Sequence, residues 1–281
     1  MKRKTFLLTL CLVALVSLNA SAKMSEKTQT IKPSTLSSRM STKLTKEDKK
    51  WNKHLQKVNF VDESPASRGS QIYHALIPNP DPYIRSVARE VMRTLYFTPK
   101  DSIPMCYVLD YIIREDKGIS AKGGGNGHVN IFYSTNWVER SFAHNDTARV
   151  DFETRGVLLH ELTHAFQLEP QGIGPYGGPN KAVWEMIEGT ADAVRVAAGG
   201  FHGDKDRPKG GSYHDGYRYI GYFFNWVCEH KDKDFIRKMN LSCLKVVPWS
   251  WDGAVKYVLG DQYTIDGLWH EYQVSIGDIK E

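Results

Sequence analysis

The segment from Val157 to Gln167 has two demands placed on it at once. Leu158, Leu159, Leu162, Ala165 and Phe166 are spaced as on a helix that packs one side into a core. His160, Glu161 and His164 interrupt that apolar surface as an H-E-x-x-H motif. Histidines four residues apart project from one helix face, about one turn apart, so both imidazoles can reach one Zn²⁺ at roughly 2.0–2.1 Å. Glu161 then points toward the coordination position left open, where a general base is needed. The bland alternative is a surface helix with two unrelated histidines, because a motif with two unrestricted positions also arises by accident.

A catalytic zinc takes a third protein ligand and leaves a fourth position open. The extended pattern H-E-x-x-H-x-x-G-x-x-H fails here, since Gln167 stands at the glycine position and Pro170 at the last histidine. The other solution draws a glutamate from a following helix, expected from about Val183 to Ala198. Glu188 and Asp192 lie one turn apart on one face of it. Glu188 is the candidate ligand, and Asp192 the candidate acceptor for the far N–H of a ligating imidazole, which fixes ring tautomer and orientation. Glu185, one turn earlier on nearly the same face, competes for the ligand role. Only Glu188 has an acidic residue four positions later, because position 189 is glycine. Gly189 also suits a close helix–helix approach. Without the motif upstream, Glu188 and Asp192 would read as a solvated face paired with Arg195.

The chain begins with Lys2, Arg3 and Lys4, an apolar run from Phe6 to Leu18, and the small residues Ala20, Ser21 and Ala22. This is the three-part pattern of a secretory signal peptide, cut after Ala22. The apolar run is 13 residues long, against roughly 20 needed to span a bilayer. Cys11 sits within that run and not at the cut, which argues against a lipid anchor. The expected destination is secreted or periplasmic, with no membrane attachment after processing. Residues 23–56, rich in Lys, Ser and Thr, bury too little apolar surface to offset their ordering entropy and read as a flexible tail, with Trp51 docking its end. The remainder, 57–281, is expected to form the folded domain.

The formal charge of +5 therefore misleads. It is concentrated in the leader and the tail, and the body from residue 55 onward is weakly acidic. That removes the main support for a nucleic-acid partner. Beyond the leader three cysteines remain, Cys106, Cys228 and Cys243. Such a count excludes a disulfide-stapled scaffold, although Cys228 and Cys243 are candidates for a bridge if their Cβ atoms meet.

Tyr83 to Tyr96 follows the helical period, Met105 to Ile113 is rich in β-favouring side chains, and His128 to Tyr133 reads as a second strand. Between the strands lies the run Gly123, Gly124, Gly125, Asn126, Gly127. No Lys-Ser/Thr follows it and the next element is a strand, so it reads as a tight turn and not as a phosphate cradle. The segments 212–230, 233–245, 252–259 and 264–275 predict helices. Strands before the motif helix and helices after it make an α+β layout with the active site in the groove between the two parts.

These residues also resemble a known family. His160 to Gln167, followed by Ile187 to Arg195, is similar to the plant and bacterial basic secretory protein family, which is counted among zincin-type, gluzincin-like zinc peptidases. The likeness extends upstream to Gly127–Ser134 and downstream to Asp215-Gly216-Tyr217, Phe223-Phe224 and Leu268–Tyr272. It covers roughly residues 60–275, in order, which is far more specific than the motif alone. Two departures stand out: the body is not basic, and the connection between the two site helices has its own Gly- and Pro-rich sequence. The resemblance implies a zincin-like α+β fold and peptide-bond hydrolysis of a protein or peptide substrate. It also implies Zn²⁺ on His160, His164 and Glu188, with Glu161 as general base.

Tyr217 matches the family's Asp-Gly-Tyr setting and is the candidate for stabilising the oxyanion; it could equally be a packed tyrosine of an aromatic-rich helix beside Tyr219 and Tyr222. The strand 128–133 is expected to bind substrate backbone as an added strand. A catalytically weak zincin-fold protein that binds peptide or glycan is the rival, and an intact Glu161 counts against it. A closed structural zinc site is disfavoured, because no cysteine lies near the motif.

Overall fold

A computed structural model describes residues 43–280. The leader and most of the expected tail lie outside the described residues. Among the described residues ten α-helices and four strands follow one another. The first part comprises α1 (Lys46–Trp51), β1 (Leu55–Asp62), α2 (Arg68–Leu76), α3 (Pro80–Leu95), β2 (Cys106–Arg114), β3 (Ser120–Gly125), β4 (His128–Ser134) and α4 (Thr135–Ser141). Then come α5 (Thr147–Phe166), α6 (Lys181–Ala197), α7 (Tyr217–His230), α8 (Phe235–Lys245), α9 (Trp251–Leu259) and α10 (Ile265–Ser275). The fold is α+β, with a small mixed sheet. Among the described residues no helix is long and apolar enough to cross a membrane.

The end of the expected tail is part of the fold. Thr45 and Asp48 form a capping box that starts α1, replacing two of the amide partners a short helix lacks. Asp48 pairs with Arg93 of α3 at 2.7 Å, and Trp51 is 1% exposed. One buried indole and the ion pairs of Asp48 with Arg89 and Arg93 thus order a segment whose composition alone reads as mobile. The strand β1 begins at Leu55 for the same reason, its first residue being 1% exposed.

The sheet runs in the order β1-β2-β4-β3, with β1, β2 and β4 parallel and β3 antiparallel to β4. Leu109, Tyr111 and Ile113 of β2 lie in register with Val129, Ile131 and Tyr133 of β4 and are buried with them. The alternate residues, such as Asp110 and Asn130, stay on the less buried face, as a period of two requires. The glycine run is mostly strand: Gly123, Gly124 and Gly125 belong to β3, and only Asn126 and Gly127, at φ 51° and 78°, make the turn. Two positive φ angles in a two-residue hairpin loop are what Asn-Gly is suited to.

This topology corrects the expectation for strand 128–133. That strand, β4, is paired on both edges, with β2 and with β3, so it has no free backbone groups for a substrate. The sheet's edges belong to β1 and β3, and β3 is the edge strand that meets the motif helix, through Ser120 and Glu161.

Helix α5 starts at Asp146, whose side chain caps Arg149 N–H, and is longer than its motif segment. It is buried on nearly every side, as α6 is. Behind α6 lies α7, and the two approach closely where side chains are missing. A Cβ on Gly189 would sit 2.5 Å from Ile220 Cβ, and one on Gly221 would sit 3.0 Å from the Asp192 backbone. The helical remainder packs through aromatic rings, including Phe224 on Phe235 at 5.2 Å and Phe223 on Trp269 at 5.3 Å. Cys106, Cys228 and Cys243 are all free thiols. The suggested Cys228–Cys243 bridge therefore does not form, the two lying on separate helices.

Candidate metal centre

The cleft has a volume of about 910 Å³ and is bounded by β3, α5, α6 and the start of α7. His160 and His164 enter it from α5 and Glu188 from α6, and together they form a group that could hold a metal ion. Their facing atoms are spaced evenly: His160 Nε2 to His164 Nε2 is 3.1 Å, His160 Nε2 to Glu188 Oε2 is 3.3 Å, and His164 Nε2 to Glu188 Oε2 is 3.6 Å. Ligands held at roughly 2.0–2.1 Å around a tetrahedral centre lie roughly 3.3–3.4 Å from one another. The three donors therefore already have the separations of one face of such a tetrahedron.

The far sides of both rings fit the same purpose. Asp192 Oδ1 lies 2.8 Å from His160 Nδ1, so the carboxylate accepts a hydrogen bond from Nδ1–H, which in the neutral ring leaves the Nε2 lone pair free. His164 Nδ1 faces the Gln167 side-chain amide at 2.9 Å, while Gln167 Oε1 is buried without a partner. Exchanging the amide's oxygen and nitrogen, which are nearly indistinguishable in shape, lets Oε1 accept from Nδ1–H. When neutral, both histidines then present Nε2 lone pairs to one point, as metal ligation requires.

Glu185, the competing ligand, serves elsewhere. It is 2% exposed; Oε2 accepts from Trp251 Nε1 at 2.9 Å, and Oε1 lies 2.9 Å from His214 Nδ1. It thus ties α6 to α9 and to the turn ahead of Tyr217. Glu161 lines the cleft beside His160 and is 5% exposed. The Ser120 hydroxyl on β3 donates to its Oε1 at 2.6 Å.

Two tyrosines approach Glu188. Tyr217 begins α7 at φ 39°; its ring stacks on His160 with centroids 6.0 Å apart and meets Trp184 edge-on at 5.5 Å. Gly216 before it, at φ 65°, leaves no room for a Cβ, which would sit 3.0 Å from the Trp184 ring. Tyr176, on the connection between α5 and α6, donates its hydroxyl to Glu188 Oε1 at 2.5 Å. Partial burial and the Glu188 and Asp192 carboxylates push the Tyr217 phenol up to about 12. Partial burial and Glu188 likewise raise Tyr176, so both remain O–H donors at neutral pH.

Burial opposes a charge on His160, but the Asp192 and Glu188 carboxylates outweigh it and push the imidazole up to about 10. Burial also opposes the charge on Glu188, yet the His160 and His164 imidazoles hold it far below the usual carboxylate range. A proton on His160 therefore competes with a cation for this group of donors.

Ser120, Gln167 and Tyr176 were not singled out from the sequence. Gln167 is three residues after His164 at the helix end, so helical spacing could have flagged it. Tyr176 stands alone between Pro175 and Gly177, a weaker signal. Nothing local marks Ser120, because only the pairing of β3 against β4 brings it to α5.

The fold and site define an α+β protein with a three-donor group that could hold a metal ion and a glutamate beside it. The family described as peptidase of plants and bacteria, the basic secretory proteins, matches residues 54–272, and the chain belongs to it. Searches of curated proteins and of solved structures gave no match.

Proposed function

We propose that the protein is a secreted or periplasmic zinc metallopeptidase with a zincin-like, gluzincin-type site, hydrolysing peptide bonds in protein or peptide substrates. The observation that carries this reading is the even spacing of His160 Nε2, His164 Nε2 and Glu188 Oε2, with Glu161 on the same cleft wall. Two imidazoles and one carboxylate suit Zn²⁺, whose catalytic sites use this donor set with one position open. Bound there, zinc supplies Lewis-acid polarisation of the scissile carbonyl and makes water a nucleophile near neutral pH.

The chain's own groups do the rest. Glu161 takes the proton from the attacking water and delivers it to the leaving amine. Ser120 occupies Glu161 Oε1, which leaves Oε2 for that exchange. Tyr217 donates to the developing oxyanion from the cleft wall. The free edge of β3 pairs with an extended substrate, because its outward amides and carbonyls have no strand beyond them. Export rests on the leader pattern of residues 1–22. A cleft that binds peptide or glycan without turnover is the less favoured reading, since a binder has no use for a base held in place beside the metal donors.

Purified protein loaded with zinc should carry about one equivalent and cleave an unfolded protein substrate, and a chelator should abolish cleavage. Bound zinc with no hydrolysis of any peptide in a broad library would move the assignment to the binding protein. Failure to bind zinc at all would dismiss the centre.

A further inference from the structure

Residues 171–180 are exposed or half-exposed throughout, and Gly172, Gly174 and Gly177 all take positive φ. From this strap the Tyr176 hydroxyl reaches a carboxylate only 5% exposed, Glu188. The two carboxylate oxygens then have separate partners. Oε1 accepts from Tyr176 at 2.5 Å, while Oε2 faces His160 Nε2 at 3.3 Å and His164 Nε2 at 3.6 Å. The Tyr176 residue is 47% exposed, so ring burial is a small part of what it contributes. Its polar tip is where it meets the site.

The division between the oxygens matters for ligation. Carboxylates bind cations through one oxygen or through both. A second Glu188 oxygen on the metal would crowd the position that a catalytic zinc keeps open. An O–H···O⁻ bond of this length belongs to the strong, charge-assisted class, and partners of this kind orient metal-binding carboxylates.

We propose that Tyr176 is a positioning residue that holds Glu188 to ligation through Oε2 alone, an inference that rests on the metal-site reading above. Tyr217 contrasts with it: its ring stacks on His160, and its proposed role is toward substrate.

The test uses the whole protein, metal-free, as wild type, Tyr176→Phe and Tyr217→Phe, with folding compared by circular dichroism. Zinc affinity is measured by competition with a chelator, and the visible spectrum is recorded after loading with Co²⁺. Tyr176→Phe should bind zinc ~10–100-fold more weakly and show a fainter Co²⁺ spectrum, as when a four-coordinate site gains a ligand. Tyr217→Phe should weaken zinc binding less than Tyr176→Phe does and leave the Co²⁺ spectrum unchanged, while lowering kcat. Equal affinity and equal spectra for wild type and Tyr176→Phe would overturn the Tyr176 assignment and leave the metal centre standing. Wild type that takes up neither metal would remove the metal reading and this proposal with it.

Discussion

His160 is the residue on which the chemistry of the centre turns, because three groups compete for its two nitrogens. Asp192 holds Nδ1 at 2.8 Å, while Glu188 and His164 lie 3.3 Å and 3.1 Å from Nε2. Replacing Asp192 by Asn removes the acceptor that keeps the proton on Nδ1, and zinc affinity should fall ~10–100-fold in chelator competition. The raised pKa of His160 sets a pH dependence with a definite sign. Without metal the imidazole stays protonated up to about pH 10, and only the neutral ring ligates. Zinc affinity should therefore rise with pH through the neutral range, and binding at pH 7 should release about one proton. Calorimetry in buffers of different ionisation enthalpy reads this directly; an enthalpy independent of buffer would contradict it.

At the scale of elements, the close crossing of α6 and α7 keeps Glu188 and Asp192 where α5 can meet them. A Cβ on Gly189 would press on Ile220 Cβ, which is fully buried and close to its own backbone. Gly189→Ala gains roughly 1 kcal/mol of helix propensity but incurs about 1–3 kcal/mol of overpacking. A net loss on the order of 1 kcal/mol is expected from the urea midpoint. The elements that were legible in sequence are those with a long period. The helices around the motif, around Glu188 and through the C-terminal part repeat apolar residues often enough to fix their type and approximate ends. Helix α1 was not, because its five charged residues show no period and it is held by docking Trp51 and pairing Asp48. Strand β3 was hidden by its glycines, whose strand character comes from pairing with β4. The same division holds for the site. His160, His164, Glu188 and Asp192 are set by spacing within two helices, whereas Ser120 and Tyr176 arrive by tertiary contacts that no local pattern encodes.

On the scale of the whole molecule, the folded body starts some ten residues earlier than its composition suggests. Trp51 lies under α3 with Arg93 above its ring at 6.0 Å. Trp51→Ala should destabilise the protein by ~3–5 kcal/mol in denaturant unfolding, a loss that a flexible tail would not show. The body brings a small mixed sheet and a helical half together around one cleft, and places a free sheet edge, a metal-capable centre and a base along its walls. On the proposed function, Glu161 turns this centre from a binder into a peptidase. The most direct test compares wild type with Glu161→Gln at equal bound zinc on a peptide library. Unchanged zinc content with turnover lowered ~10²–10⁴-fold is the predicted result. Cleavage that persists at the wild-type rate in Glu161→Gln would contradict it.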